Sequence, residues 1–301
     1  MKFVDVTNDI AFRKIFGNDN KKSSLISFLN AVIKFPNENK ITEVHITNPY
    51  QLPNLSGGKS TIVDIKAKDQ NGNSFIVEMQ IAELEFFQQR ILYYTSQSYV
   101  SQLTEGKEYK KLKPAYFIGI LEFEISDHPN YLSCHQVLDI ETGKQILRDV
   151  EFNFIELPKF TKKLEELVTL IDQWTYFIKN AENLNVIPES INDEGLKEAY
   201  LEAAKHSWSQ VELDNYERAS IKEQDEIGRV EFAERKAEIK GEKRGKIEGK
   251  IEGKIEGKIE GKIEGKIEGK IETAKHLKTL GIDSEIISKA TGLTKDEIEK
   301  L

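Results

Sequence analysis

From Lys59 to Ile81 the chain reads KSTIVDIKAKDQNGNSFIVEMQI, two alternating arms around Asn71-Gly72. Alternation at period two marks strands, because successive side chains point to opposite faces. On the first arm Ile62, Asp64, Lys66 and Lys68 share one face while Val63, Ile65 and Ala67 share the other. On the second arm Ile76, Glu78 and Gln80 oppose Phe75, Val77, Met79 and Ile81. The apolar faces are expected to meet a core and the polar faces to line something wetter.

The turn decides whether the two acids meet. A two-residue Asn71-Gly72 loop would set Asp64 opposite Met79 and mix polar with apolar faces, which register forbids where one face is buried. A three-residue loop, Gln70-Asn71-Gly72 with Gly72 left-handed, sets Asp64 across from Glu78 instead. Their Cβ atoms would then lie about 4.5–5.5 Å apart. Two bare carboxylates at that spacing repel, which raises the pKa of one unless a cation sits between them. A hard ion with oxygen ligands, such as Mg2+, meets that demand.

Asp64, a spacer carrying a turn, then Glu78-Met79-Gln80 resembles the D…(D/E)xK signature of the PD-(D/E)XK nuclease superfamily. Gln80 stands where most members keep Lys, and the E-x-Q form is similar to that of the Rpn family of recombination-promoting nucleases and putative transposases. The segments Asn8-Asp9-Ile10-Ala11-Phe12-Arg13-Lys14-Ile15-Phe16-Gly17 and Arg90-Ile91-Leu92-Tyr93-Tyr94 resemble that family too, so the likeness covers roughly the first 125 residues and, more loosely, the helical remainder. It implies an α/β restriction-endonuclease-like αβββαβ core and Mg2+- or Mn2+-dependent cleavage of DNA. Under it Asp64, Glu78 and the carbonyl of Met79 hold the metal, and Gln80 positions the nucleophile. Asp9 is a candidate extra acid, with favouring the helix N-terminus as its structural alternative. Arg90, Lys66 and Lys68 are candidate contacts to DNA.

Composition is compatible with that reading. Residues 1–120 hold 15 Lys and Arg against 12 Asp and Glu, whereas the whole chain of 301 residues holds 43 against 51, net −8. The acidic excess therefore lies C-terminally, and a mildly basic N-terminal part permits phosphate contact. No run nears the ~20 apolar residues of a membrane span, and residues 1–20 lack the apolar core of a signal peptide. A cytoplasmic location without membrane association is expected. Cys134 is the single cysteine, so no disulfide forms within the chain, and the histidines show no zinc spacing.

Thr7 is expected to cap a first helix through Phe16, and a second helix runs from about Ser23 to Ile33, closed by Pro36. Thr42 to Tyr50 reads as a strand, followed by a loop at Gly57-Gly58. Glu83 to Leu103 has no Gly or Pro and reads as one helix, with Phe86, Arg90, Tyr93 and Gln97 on one face. Core packing and substrate contact are both open to Tyr93 and Tyr94. A basic loop of Lys107, Lys110, Lys111 and Lys113 precedes Ala115 to Phe123, whose apolar run suits a buried central strand. The order helix, strand, strand, strand, helix, strand matches the core that the resemblance implies. The expected division is a nuclease-like domain over residues 1–157, a helical region over 158–240, a repeat over 241–272 and a small helical tail over 273–301.

From Lys246 to Glu272 the chain repeats KIEG. As a lone helix this segment is marginal: every fourth-residue pair is Glu with Glu or Lys with Lys, and each Gly costs about 0.8–1 kcal/mol against Ala. A four-residue period also turns the Ile stripe by about 40° per repeat. A spacer and a wrapping stripe that orders with a partner chain both fit, and a homo-oligomer through the C-terminal helices, as a coiled coil, is expected. In the tail, Gly281 and Gly292 end helices, Asp283 or Ser284 starts one, and Thr294 with Glu297 forms a capping box.

The leading expectation is thus a metal-dependent DNA endonuclease serving recombination, transposition or defence. The alternative is a nucleic-acid-binding or regulatory module that keeps the scaffold without cutting, since fold does not decide function.

Overall fold

The computed structural model describes residues 1–35, 39–47, 50–51, 61–103 and 108–301. Pro36, Gly57, Gly58, Lys59 and Lys107 lie outside the described residues. Two compact units are present, Met1–Val230 and Glu231–Leu301.

The first unit begins with α1 (Asp9–Phe16) and α2 (Ser23–Val32). Asn8, not Thr7, caps α1: its side-chain oxygen accepts from the backbone N–H of Ile10 and Ala11, while the Thr7 hydroxyl donates to Asp5 at 2.7 Å. The strands β1 (Val44–Thr47), β2 (Tyr50–Gln51), β3 (Thr61–Ile62), β4 (Ile65–Asp69) and β5 (Ser74–Gln80) follow. Next come α3 (Phe87–Val100), β6 (Ala115–Leu121), β7 (Leu132–Gln136) and β8 (Val150–Glu156). Then α4 (Leu170–Asn180), α5 (Glu194–Ala203) and α6 (Gln210–Thr279) complete the helical part.

Six strands form one sheet in the order β1-β4-β5-β6-β8-β7, and β2 pairs with β3 separately. β4 and β5 are antiparallel, whereas β5, β6 and β8 run parallel. A parallel neighbour needs a crossover, and α3 supplies it between β5 and β6. This is the expected αβββαβ arrangement, with the apolar Ala115–Leu121 run at the sheet centre.

Pairings of Ile65 with Val77 and Lys66 with Ile76 fix the hairpin register. The ladder starts at Ile65, so Asp64 stands just before it, where its carboxylate accepts from the Met79 N–H next to Glu78. The loop is the three-residue one. Gly72 has φ +83°, its N–H reaches the Asp69 carbonyl at 3.0 Å, and the Asp69 carboxylate accepts from the N–H groups of Asn71 and Asn73. Gly72 is needed because an L side chain is strained there.

Both faces of β5 are covered from Ser74 to Val77, so the polar face is wet only at its end, where Glu78 and Gln80 line a cavity. Phe75, Val77 and Met79 join the larger core with Phe12, Phe16, Leu25, Phe28, Trp174 and Tyr200. Ile76 joins a smaller core under α3, with Phe87, Ile91, Tyr94 and Phe117. Val63 belongs to that smaller core as well, whereas Ile65 and Ala67 pack in the larger one. The chain leaves the strand between Ile62 and Ile65, so the predicted sharing of one face by Val63 and Ile65 fails at Asp64. The helix expected from Glu83 begins only at Phe87, because Phe86 sits at φ 63°, ψ 27°.

In the second unit α6 carries the KIEG segment as helix. Ala274 of α6, Ile287 of α7 (Ser284–Thr291) and Ile298 of α8 (Lys295–Glu299) make a small core of their own. The predicted punctuation is present: Asp283 caps α7, Gly292 ends it at φ 74°, and Thr294 with Glu297 caps α8. Among the described residues no helix is long and apolar enough to cross a membrane.

Candidate active site

A cavity of about 400 Å3 opens where α1, the hairpin, the start of α3 and the first turns of α6 converge. Asp9 and Arg13 line it from α1, Asp64, Glu78, Met79 and Gln80 from the hairpin, Arg90 from α3, and Lys222 and Glu223 from α6. The walls from α1 and α6 are joined by polar anchors. Asp5 N–H donates to the Tyr216 hydroxyl and the Asn8 amide to the Ser220 hydroxyl, each at 3.0 Å, and Lys14 pairs with Glu212.

Asp64 is not a bare acid. Its Oδ1 accepts from Arg13 Nη2 at 2.8 Å and its Oδ2 from the Met79 N–H at 3.0 Å. The second bond runs across the hairpin and fixes the carboxylate beside Glu78. Glu78 is the unsatisfied member: it is 9% exposed, and its buried Oε1 has no hydrogen-bond partner. Burial first, then the charge of Asp64, push the Glu78 carboxyl up to about 8, against the opposing pull of Arg90 and Arg13. A carboxyl in a dry site beside an ionised one keeps its proton, since the charged form loses water and gains repulsion. The repulsion expected for the pair therefore falls on Glu78, because Arg13 compensates Asp64.

Gln80 donates through Nε2 to the Ala82 carbonyl at 3.1 Å, which leaves its amide oxygen as an acceptor. Arg90 donates through Nε to the Tyr94 hydroxyl at 3.1 Å and stands over that ring, 5.6 Å from its centre. Tyr94 is thus a buried core residue that aims Arg90, while Tyr93 is exposed. Glu223 is pushed up to about 7, by burial first and then by Asp5, Asp9 and Glu122.

The structure brings Asp9, Asp64, Glu78, Met79, Gln80 and Arg90 to one cavity and leaves Lys66 and Lys68 outside its lining. Lys66 lies half-buried on β4, its pKa lowered by burial and by Lys68, and Lys68 is exposed. Among the described residues no three His, Cys, Asp or Glu side chains gather as a metal cluster.

Sequence reasoning missed Arg13, Lys222 and Glu223 as lining residues. Arg13 carried a signal, since its place four residues after Asp9 puts both on one helix face. Lys222 and Glu223 carried none, because only the packing of α6 brings them to a hairpin far away in sequence.

Residues 6–233 match the profile of the PD-(D/E)XK nuclease family transposases. No curated protein and no solved structure matches the chain. The match spans the sheet, both helical layers around it and the stretch of α6 that lines the cavity. On that match, joined to the mixed sheet that carries the paired acids, the chain belongs to the PD-(D/E)XK nuclease family transposases.

Proposed function

We propose that this protein is a divalent-metal-dependent DNA endonuclease whose reaction takes place in the cavity between α1, the hairpin, α3 and α6. The observation that carries the reading is the buried Glu78 oxygen without a partner beside the Asp64 carboxylate. Burying an unpaired acid is costly, and a hard cation held beside Asp64 would give the Glu78 oxygen the partner it lacks. The donor set of two carboxylates and a backbone carbonyl at Met79 is all oxygen, which fits Mg2+ or Mn2+. When bound, the cation would supply Lewis acidity toward a phosphodiester oxygen and acidify a water.

The chain's own residues divide the remaining work. Glu78 and Asp64 would hold the cation as carboxylates, and the Met79 N–H, donating to Asp64 Oδ2, keeps that carboxylate beside Glu78. Gln80, pinned through its NH2 to Ala82, offers its amide oxygen to orient the attacking water. It brings no positive charge, so Arg13, Arg90 and Lys222 are the groups that balance the phosphate and its developing charge. Asp9, which lines the same cavity from α1, is proposed as the additional acid for the cation or its water. Lys66 and Lys68 are proposed to meet the DNA backbone outside the cavity.

A second reading is a module that binds without cutting, favoured by the Arg13–Asp64 ion pair, which occupies one of the two acids. Metal dependence separates the two. Purified protein is expected to nick supercoiled plasmid with Mg2+ or Mn2+ and not with EDTA. Asp64→Ala and Glu78→Ala are each expected to remove most of that activity, by about a hundredfold or more, with little further loss in the double variant because the two act as a unit. Mg2+ is also expected to raise the melting temperature of the wild type by mass action and not that of either variant. Nicking that survives Asp64→Ala, with an unchanged response of melting to Mg2+, would show that the pair binds no ion.

A further inference from the structure

Among the described residues, the KIEG segment of α6 is a helix whose isoleucines from 247 to 267 stay about half exposed and whose charges from 250 onward form no ion pair. Ile247, Ile251, Ile255, Ile259, Ile263 and Ile267 are 60%, 53%, 53%, 54%, 53% and 49% exposed. Among the described residues no ion pair involves a charge between 250 and 272; Arg244–Glu248 and Lys246–Glu242 pair at the segment's start. A side chain added at any of Gly249, Gly253, Gly257, Gly261, Gly265 and Gly269 would meet nothing within 4 Å. Along one helix, like charges recur every fourth residue, an arrangement that weakens it.

Angles around the helix say what would cover this surface. At about 100° per residue, each Ile has Glu on one side, from the residue after it, and Lys on the other, from the residue before it. The Gly column lies on the far side. Two such helices brought together along their Ile stripes and running in the same direction put the Glu column of each beside the Lys column of the other, on both flanks. Running in opposite directions, they would put Glu beside Glu and Lys beside Lys. The stripe itself advances by about 40° per four residues, because four exceeds 3.6. A repeat longer than the helical turn winds in the right-handed sense. A straight partner helix loses such a stripe within a few turns, whereas a helix with the same repeat follows it throughout.

We propose that the KIEG segment pairs with a second copy of this chain, as a parallel two-stranded coil of right-handed twist, with Ile247 to Ile271 as its seam and Lys–Glu pairs on both flanks. The like-charge columns that weaken a single helix become the complementary surfaces of a pair. In a parallel pair both chains enter the seam from the same end. This pairing is independent of the chemistry proposed for the cavity, and the nuclease reading stands or falls without it.

The full-length protein tests it by sedimentation equilibrium. Wild type is expected to be dimeric, and the triple change Ile255→Glu, Ile259→Glu and Ile263→Glu to weaken dimerisation at least about tenfold. Two charge variants keep every Ile: one carries Glu252→Lys, Glu256→Lys and Glu260→Lys, the other Lys254→Glu, Lys258→Glu and Lys262→Glu. Each alone is expected to dimerise more weakly than wild type, and a mixture of the two to recover a dimer. Direction is read by disulfide formation in a Cys134→Ser background: Ile247→Cys and Ile271→Cys should each cross-link with its own copy. A monomeric wild type, a trimer or larger assembly, a triple variant that dimerises as wild type does, charge variants that fail to recover on mixing, or cross-links formed only between the two Cys variants would each overturn the proposal.

Discussion

Glu78 carries the electrostatic cost of the candidate site. Its folded pKa of about 8 stands above the ordinary 4.5, so between those values the folded protein holds a proton that the unfolded chain has released. Stability therefore falls as pH rises through that window. At about 1.4 kcal/mol per pKa unit, the loss between pH 5 and pH 8 is on the order of 3 kcal/mol in metal-free protein. Glu78→Gln, which has no proton to lose, is expected to gain on wild type by that amount over the same pH range, as measured by urea unfolding in EDTA. Parallel pH profiles for variant and wild type would mean that Glu78 is ionised when folded. The residue scale also shows what patterning can reach. That Asp64 and Glu78 come together was legible from sequence, because the three-residue loop at Gly72 fixes the hairpin register. The division of roles between them was not, because it depends on Arg13 bonding Asp64 from a separate helix.

At the scale of elements, the hairpin loop was legible because Gly72 is the residue that accepts the left-handed conformation a three-residue loop requires. The Asp69 carboxylate reinforces it by gathering the N–H groups of Asn71 and Asn73. The start of α3 was not legible: no Gly or Pro marks Phe86, whose φ of 63° interrupts the helix. One close approach between helices yields a direct test. A Cβ at Gly195 of α5 would come within 2.4 Å of the Ser23 carbonyl oxygen and 2.5 Å of Ser27 Cβ on α2. The Ser23 carbonyl is backbone and Ser27 Cβ is fixed directly to backbone, so neither can yield as the end of a flexible side chain can. Gly195→Ala is expected to destabilise by about 1–3 kcal/mol in thermal or urea unfolding, with nicking per folded molecule retained. Unchanged stability would mean that α2 and α5 are spaced more widely than the structure has them.

For the whole molecule, the family match ends at residue 233, close to the end of the first unit at Val230, and the cavity lies within that unit. Deleting two complete repeats, residues 250–257, keeps Ile, Lys and Glu in phase, and it is expected to leave the melting transition of the first unit and plasmid nicking unchanged. Inserting one Ala after Gly257 turns the rest of the stripe by about 100°, and should leave that transition alone while weakening dimerisation. A shift in the first unit's melting on deletion would show that the repeat supports it. The sequence by itself determined the elements apart from the start of α3 and the break before Ile65, together with the hairpin register, the αβββαβ order and the helix ends of the tail, since these follow from side-chain period and from the local preferences of Gly, Asp and Thr. Only the tertiary structure decided that β5 is covered on both faces as far as Val77, that Arg13 compensates Asp64 and leaves Glu78 Oε1 unpaired, and that α6 supplies Lys222 and Glu223. Burial and charge pairing depend on which distant elements meet, and a periodic pattern states that a face is covered without stating by what.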